Sequence, residues 1–319
     1  MTSDAQRELD AVVLGESMVS LATPGTRFAA TPSLAVGVAG AEGNVAIGLA
    51  RLGRATSFLG AVGADPMGET IRRTLRGEGV DTTHLRTDPA HPTGLMVKEV
   101  VGPDDVRVYY YRSTSAFAHA GADLGAAPPS SRLVHATGIT AALGDGPAAA
   151  LRTFVTGAKA RGAVVSFDMN LRRRLTTEAD AARTTRDLLP DVDHLLLSGE
   201  EAQVLTGHAD PHRAMAALLA DGVPTVVVRL GEEGAMATDG DAEVEIPAAP
   251  ARVVDTVGAG DAFTAGYLHV VLDGGPLPDA VRSGAWTAAR VVEHHGDYTG
   301  FPPLAEYEDW RAQRATLQR

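Results

Sequence analysis

Short apolar runs alternate with helix-patterned segments along most of the 319-residue chain, and this alternation limits its possible folds more than any other feature. Strands are expected at 9–14, 56–62, 133–136, 164–167, 194–197 and 225–229. Helices are expected at 42–52, 65–78, 146–161, 179–189, 211–220, 260–273, 278–294 and 304–319. Asp65 before the second helix, and Gly53 and Gly79 after the first two, are typical cap residues. The pattern predicts an α/β fold built on a parallel sheet.

Two segments do not fit this alternation. Residues 93–101 and 106–112 are rich in β-forming side chains and flank the sequence Gly-Pro-Asp-Asp at 102–105, which is typical of a hairpin. Residues 19–38 are similarly extended and rich in Gly, Pro and Thr. Because neither segment fits a crossover helix, we expect both in a small antiparallel sheet beside the main one.

Composition and charge exclude several classes of protein. The chain has no cysteine, which excludes disulfides and thiolate metal sites. Its formal net charge of −12 argues against binding to a nucleic-acid backbone. No apolar run approaches the roughly 20 residues needed to cross a bilayer, and residues 1–4 lack the features of a secretory signal. We therefore expect a cytoplasmic protein that binds neither nucleic acid nor membrane.

The positions of the lysines exclude two further classes of nucleotide-binding site, together with the absence of protein-kinase motifs. Lysine occurs only at positions 98 and 159, where Glu99 and Ala160 follow it, so the chain has no Gly-Lys-Ser/Thr phosphate loop. The H-R-D and D-F-G signatures of protein kinases are also absent. If the protein handles a nucleotide, backbone amides and arginine must hold the phosphates.

The segment 255–263 offers such amides, since it reads Asp-Thr-Val-Gly-Ala-Gly-Asp-Ala-Phe before a helix-forming sequence. Gly258, Ala259 and Gly260 have little or no side chain, so their amides can approach an anion, and a helix start adds unpaired N–H donors. Asp261 would be repelled there unless it accepts a proton from a group beside the phosphate. Taken alone, the segment could be an ordinary helix start. With Asp261 as a base beside an anion hole at 258–260, it predicts a small-molecule kinase.

This segment resembles the C-terminal signature of the PfkB (ribokinase-like) carbohydrate kinases, which is close to D-T-x-G-A-G-D-x-F. The resemblance covers nearly the whole chain and implies a ribokinase-like three-layer α/β/α fold. It implies one kinase domain over residues 1–319, with lid segments inserted at about 17–38 and 93–113. It also implies ATP and Mg²⁺ as cofactors. Some relatives require a monovalent cation, and the sequence leaves that requirement open here.

Residues 38–44 resemble the first signature of the family, G-G-x-x-x-N, with Ala39 in place of the first glycine. The resemblance implies that Gly40 lets a sugar hydroxyl approach the backbone. It also implies that Asn44 offers the sugar a donor and an acceptor. The alternative for Asn44 is a helix-capping role.

Two further segments resemble the nucleotide site of the family. Ser198 and Glu201 match its N-x-x-E motif, with Ser198 replacing the asparagine, and the match implies that Glu201 supports Mg²⁺ near the phosphates. Arg229, Gly231 and Gly234 resemble its K-x-G-x-x-G turn, with Arg229 in place of the lysine, which implies contact with the nucleotide. The alternatives are a solvated acidic helix start for the first segment and a plain hairpin turn for the second.

The sugar site resembles the branch that phosphorylates 2-keto-3-deoxygluconate (KDG), which shows Y-Y-R, D-x-N-x-R and a late R-G-D-x-x-G. In that branch arginines bind the substrate carboxylate, and a tyrosine and the late aspartate bind hydroxyl or keto groups. The matching residues here are Arg112, Arg172, Tyr110 and Asp297, with Ile139 as an apolar contact. A neutral hexose would leave two such arginines unpaired. The neighbours Arg173 and Arg174 are expected on a solvated basic face.

The sequence leaves alternatives open. The substrate could be an acidic sugar (KDG or 2-keto-3-deoxygalactonate), a neutral sugar such as fructose or ribose, or a nucleoside, and the donor ATP or GTP. A catalytically silent sugar-binding regulator is a further alternative, against which the intact Asp261 argues. The tyrosines at 109–111 could pack in the lid or form a dimer contact, and we expect a homo-oligomer through the β lid. His294 and His295, expected on a helix, diverge by about 100° and predict no zinc site.

Overall fold

Two β-sheets organise the computed structural model, which describes residues 9–102, 105–126 and 128–317. In chain order the strands of these ranges are β1 (Leu9–Leu14), β2 (Met18–Ala22), β3 (Ala35–Ala39), β4 (Thr56–Gly63), β5 (Leu85–Asp88), β6 (Leu95–Gly102), β7 (Asp105–Tyr111), β8 (Ser131–Thr137), β9 (Val164–Asp168), β10 (His194–Ser198), β11 (Thr225–Arg229), β12 (Ala235–Thr238) and β13 (Glu243–Ile246). The larger sheet has the order β13-β12-β11-β10-β9-β8-β1-β4-β5, and the smaller sheet has the order β3-β2-β6-β7.

Parallel pairing runs through the larger sheet from β11 to β5, which confirms the predicted parallel α/β architecture. The carboxyl ends of these strands therefore meet at one edge of the sheet, where ligands of open α/β folds bind. The sequence did not predict β5, β12 or β13. These strands have four residues each, too few for an apolar run to stand out, and β12 and β13 pair antiparallel at the sheet border.

Helices cover both faces of the larger sheet. They are α1 (Ala41–Arg51), α2 (Pro66–Gly77), α3 (Gly138–Ala141), α4 (Asp145–Ala160), α5 (Glu178–Leu188), α6 (Gly199–Thr206), α7 (Pro211–Ala220), α8 (Ala259–Leu272), α9 (Leu277–Val291) and α10 (Leu304–Leu317). Buried side chains of α4 to α7 form one core cluster with the strands, and those of α1, α2, α8 and α9 form another. The two clusters on opposite faces give the three layers that the sequence led us to expect.

The small sheet is the predicted lid, although its pairing differs from the expectation. Strand β2 pairs antiparallel with β3, and β6 pairs antiparallel with β7, as expected. Strands β2 and β6, however, pair in parallel, so the prediction of an all-antiparallel sheet was wrong. The reason is topological, because β2 follows β1 and β6 follows β5, and those two strands run parallel in the larger sheet. Pro103 and Asp104 of the predicted turn lie outside the described residues.

Most predicted helices agree with the structure to within about two residues, but α9 ends earlier than expected. It ends at Val291, so His294 and His295 lie in the turn beyond it and not on the helix. The described ranges contain no cluster of three or more metal-ligating side chains. Asp65 caps α2 as predicted, accepting a hydrogen bond from the Gly68 amide at 2.8 Å. Within the same ranges, no helix has the length and apolar character that a membrane span requires.

Candidate active site

A cavity of about 490 Å³ lies between the lid and the edge of the large sheet where its parallel strands end. Both signature segments and the lid contribute to its wall. The wall brings together nine residues that the sequence assigned to the base, the anion hole or the sugar: Gly40, Asn44, Tyr110, Arg112, Ile139, Arg172, Gly258, Asp261 and Asp297.

The start of α8 forms one end of this cavity. Gly258 is its N-cap residue with φ of 79°, and a Cβ there would overlap the carbonyl oxygen of Asp297, so only glycine fits. Within the described residues, the amides of Gly258, Gly260 and Asp261 donate no hydrogen bond, whereas the Ala259 amide donates to the Thr256 carbonyl at 3.3 Å. Unpaired amides at a helix start are the donors that a phosphate needs. Gly258 and Gly260 thus fit the predicted anion hole, and Ala259 already has a partner.

Asp261 lies in the first turn of α8 and is buried. Burial raises the pKa of its carboxyl to about 7, and the negative charge of Asp168 adds to the rise. A hydrogen bond from Asn44 and the charges of Arg172 and Arg229 oppose the rise in this pKa. A carboxyl with a pKa near neutrality is suited to accept a proton during catalysis.

Asn44 does not cap a helix, because it lies inside α1. Its Nδ2 donates to Asp261 Oδ2 at 2.7 Å, so the family's two signature segments meet through this bond. Gly40, the N-cap residue of α1, has φ of 147°, and a Cβ on it would overlap the carbonyl oxygen of Glu16. These contacts place the first signature segment directly against the predicted base.

Arg229 reaches under the anion hole. Its guanidinium donates to both carboxylate oxygens of Asp168, at 2.7 and 2.8 Å, and to the carbonyl of Gly260 at 3.2 Å. Beyond it, Gly231 and Gly234 adopt positive φ angles of 63° and 110° and turn the chain toward β12. Arg229 therefore supports the first turn of α8, which carries the base, and its positive charge is already paired with a carboxylate.

Glu201 and Ser198 form a capping box at the start of α6. The Ser198 hydroxyl accepts a hydrogen bond from the Glu201 amide at 3.2 Å, while the Glu201 carboxylate accepts from the Ser198 amide at 2.6 Å. The other oxygen of that carboxylate accepts from the Leu171 amide at 2.6 Å. Glu201 is buried, so the segment is not a solvated acidic helix start. Its S-x-x-E pattern was visible in the sequence as a capping signal.

Arg112 lies at the lid side of the cavity, and its charge is paired. Its Nε and Nη2 atoms lie 2.6 and 2.5 Å from Glu16 Oε2, and the Ser115 hydroxyl donates to the other Glu16 oxygen at 2.5 Å. Burial raises the pKa of Glu16, which Arg112 and Ser115 oppose. The ring of Tyr110 lies 5.9 Å from the Arg112 guanidinium carbon.

The three consecutive arginines 172–174 differ in their surroundings. Arg173 also lines the cavity, but it donates to Glu178 at 2.8 Å and to Glu200 at 3.1 Å. Arg174 lines the cavity and donates from Nη1 to the carbonyl of Val108 in β7 at 2.7 Å. Arg172 also lines the cavity, and neither Arg172 nor Arg174 forms an ion pair in the described part of the chain.

A sequence profile of the pfkB family carbohydrate kinases matches residues 9–303. The chain belongs to this family. The Bacillus subtilis (strain 168) protein named 2-dehydro-3-deoxygluconokinase is 34% identical over 325 residues, covering 98% of each chain. A PfkB protein from Polaromonas sp. JS666 matches with a TM-score of 0.85 at 34% identity, over 94% of this chain and 99% of that one. A fructokinase from Vibrio cholerae O395, solved with fructose, ADP and potassium ion bound, matches with a TM-score of 0.83 at 26% identity, over 95% and 98% of the two chains. The predicted family and fold are confirmed.

Sequence reasoning missed several polar residues of this PfkB-family site. Lys98 of β6 donates from Nζ to Asp297 Oδ1 at 2.6 Å, which joins the lid to the loop after α9. Glu42 of α1 is buried and accepts from the hydroxyls of Thr137 and Thr140 at 2.7 and 3.1 Å, next to Ile139. Lys98 had one signal in the sequence, since it is one of only two lysines in the chain.

Proposed function

We propose that the protein transfers the γ-phosphoryl group of ATP to a hydroxyl of KDG, also called 2-dehydro-3-deoxygluconate. The observation that carries this proposal is the meeting of a buried aspartate, unpaired amides at the start of α8 and unpaired arginines in one cavity. The aspartate and amides suit phosphoryl transfer, and the arginines suit an acidic acceptor. The name and full-length similarity of the Bacillus subtilis relative support the same substrate.

In this reaction the acceptor hydroxyl oxygen forms a bond to the γ-phosphorus as the bond between that phosphorus and the ADP oxygen breaks. Asp261 accepts the hydroxyl proton, and Asn44 fixes the orientation of its carboxylate through the 2.7 Å hydrogen bond. The amides of Gly258 and Gly260 stabilise the charge that develops on the phosphoryl oxygens. Ser198, Arg229, Gly231 and Gly234 face the nucleotide side in this proposal, with Arg229 acting through the Gly260 carbonyl that it supports.

Mg²⁺ supplies charge neutralisation on the phosphates when it is bound with ATP. The side chains of the described residues do not form a magnesium cage by themselves, because both carboxylate oxygens of Glu201 accept backbone amides. In this proposal Glu201 supports the ion through water, since Mg²⁺ usually retains several waters. A monovalent cation is a further requirement to test, because potassium is named in the fructokinase complex.

In this proposal Tyr110 and Asp297 bind hydroxyl or keto groups of the sugar, and Ile139 forms an apolar contact. Arg172 interacts with the substrate carboxylate, and Arg112, which Glu16 holds, has N–H donors left for the same group. Gly40 contributes backbone contact. The fructokinase similarity supports a neutral sugar as the second candidate, which would not need unpaired arginines.

The test is ADP release with Mg·ATP across KDG, 2-keto-3-deoxygalactonate, fructose, ribose and adenosine, with and without potassium. We expect turnover of KDG that Asp261→Ala abolishes and that the exposed matched control Asp221→Ala retains. Arg172→Ala should weaken the binding of the acidic substrate and leave the binding of neutral sugars unchanged. Turnover of a neutral sugar alone would refute the acidic substrate and keep the kinase. Sugar binding without ADP release would favour the silent regulator.

We also propose a single kinase domain over residues 1–319 that forms a homo-oligomer through the lid. The lid exposes several large apolar side chains, which supports this surface as a contact: Phe28, Val36, Val106, Tyr109 and Tyr111. Sedimentation analysis tests it, with Tyr111→Lys as the variant. A monomeric wild-type protein at micromolar concentration would refute the oligomer.

A further inference from the structure

We propose that Arg174 is a substrate-binding residue that recognises the carboxylate of the acidic sugar. This inference rests on the proposed function, because it assigns a role in binding the same substrate. Arg174 stands two positions beyond the arginine of the D-x-N-x-R motif, so the motif itself gives it no role. The argument depends on which cations of the cavity have a charge left to offer an anion.

Some cations of the cavity are already paired with carboxylates. Lys98 pairs with Asp297 at 2.6 Å, and Arg112 pairs with Glu16 at 2.5 Å. Arg173, which also lines the cavity, pairs with Glu178 at 2.8 Å and with Glu200 at 3.1 Å. An incoming carboxylate near any of these pairs meets a group whose charge is already compensated. It can gain hydrogen bonds there but little net electrostatic attraction.

Arg172 and Arg174 remain, and they differ in their contacts. Arg172 is the arginine of the D-x-N-x-R motif, and it lines the cavity without a partner carboxylate in the described part of the chain. Arg174 donates to the Val108 carbonyl, so its guanidinium lies in the cleft between the lid and the main domain. A carbonyl does not compensate a full positive charge, and this bond uses one of five guanidinium N–H donors.

The chemistry of the substrate can use both cations. A sugar acid whose acceptor hydroxyl lies at Asp261 has its carboxylate several carbon–carbon bonds away, and the two oxygens of that carboxylate can accept from more than one guanidinium. Arg174, which is held at β7 and has no partner carboxylate among the described residues, can therefore bind the carboxylate together with Arg172. The bond to Val108 also orients Arg174 before substrate arrives, which lowers the entropic cost of ordering a long exposed side chain.

The test uses Arg174→Ala and Arg174→Lys, with Arg173→Ala as the matched control. Arg173 is the same residue type in the same segment, but Glu178 and Glu200 already pair with it. Steady-state kinetics would be measured with KDG and with its uncharged methyl ester. We expect Arg174→Ala to raise KM for KDG about tenfold to a hundredfold, with kcat within about twofold and KM for the ester unchanged. Arg174→Lys should recover part of the loss, and Arg173→Ala should resemble the wild type.

An unchanged KM for KDG in Arg174→Ala would overturn the inference while leaving the proposed function intact. An equal rise in KM for the acid and the ester would also overturn it, because the residue would then only shape the lid. If the wild type turns over no acidic sugar, the proposed function fails, and calorimetric titration of KDG into wild type and Arg174→Ala still decides the inference. Equal affinities in that titration, or no binding by either protein, would refute it. Since Arg174 is exposed, its replacement leaves no buried group unpaired, and thermal unfolding would check that the variants fold.

Discussion

Asp261→Asn is expected to abolish kinase activity and to stabilise the protein at neutral pH. Removal of a general base costs about a hundredfold to ten-thousandfold in rate. The effect on stability has a separate cause, because burial raises the pKa of this carboxyl from 3.8 to about 7. Between these two values the folded state holds a proton that the unfolded state has released, so the wild type loses stability as pH rises. The asparagine variant lacks this loss.

The size of the effect follows from the two pKa values. A change from 3.8 to about 7 corresponds to about 4 kcal/mol of unfolding free energy when the loss is complete. The contribution of the proton is fully present below pH 3.8 and is lost as pH rises through about 7. Between pH 5 and pH 8, the stability of the variant should therefore rise relative to the wild type by about 2 to 3 kcal/mol.

Urea unfolding of both proteins at several pH values between 5 and 8 measures this difference. Asp221→Asn is the control, because Asp221 is exposed at the end of α7 and its replacement removes the same charge from solvent. The control measures what the loss of an exposed carboxylate does to stability over the same pH range. If the difference between Asp261→Asn and the wild type is constant from pH 5 to 8, the pKa of Asp261 is not raised and the reasoning is refuted.

Three further changes test the partners of the site. Asn44→Ala removes the hydrogen bond that lowers the pKa of the catalytic aspartate, so the acid limb of kcat/KM against pH should move above pH 7. An acid limb at the wild-type position would show that this bond does not affect the pKa of the aspartate. Arg112→Met leaves Glu16 buried and unpaired, and should lower the unfolding free energy by about 3 to 5 kcal/mol in urea titrations, with partial recovery when Glu16→Gln is added. Lys98→Met removes an ion pair between the lid and the main domain, and should raise KM for the sugar several-fold and speed limited proteolysis of the lid; wild-type values of both would count against that contact.

The sequence predicted the parallel strands and most helices because each has a local cause. A buried parallel strand needs a short apolar run, and caps such as Asp65 have a recognisable residue type. The strands β12 and β13 had no such cause, since four-residue strands at a sheet border alternate too briefly to be recognised. The parallel pairing of β2 with β6 depends on where the chain re-enters from the main sheet, which no local pattern contains.

The candidate site divides in the same way. The family motifs predicted nine of the residues that line the cavity, whereas the residues predicted for the nucleotide side are not part of its wall: Ser198, Glu201, Arg229, Gly231 and Gly234. The S-x-x-E capping box of Glu201 was a local pattern that the sequence contained. The partners of these residues were not predictable, because they are far apart in the chain. Asn44 and Asp261 are 217 positions apart, and Glu16 and Arg112 are 96 positions apart.

The distinction between lining a cavity and having an unpaired charge has a measurable consequence. Arg112 and Arg174 line the same cavity, and alanine would remove the same functional group at either position. At Arg112 the change leaves the buried Glu16 without its partner, so the main loss should be in stability. At Arg174 the change leaves no carboxylate among the described residues without a partner, so the main loss should be in affinity for an anionic substrate. If the unfolding free energy and KM are measured for each single variant, Arg112→Ala should mainly lower the unfolding free energy and Arg174→Ala should mainly raise KM. If both variants change the same quantity, the ion pairing seen in the structure does not determine which charge is available to the substrate.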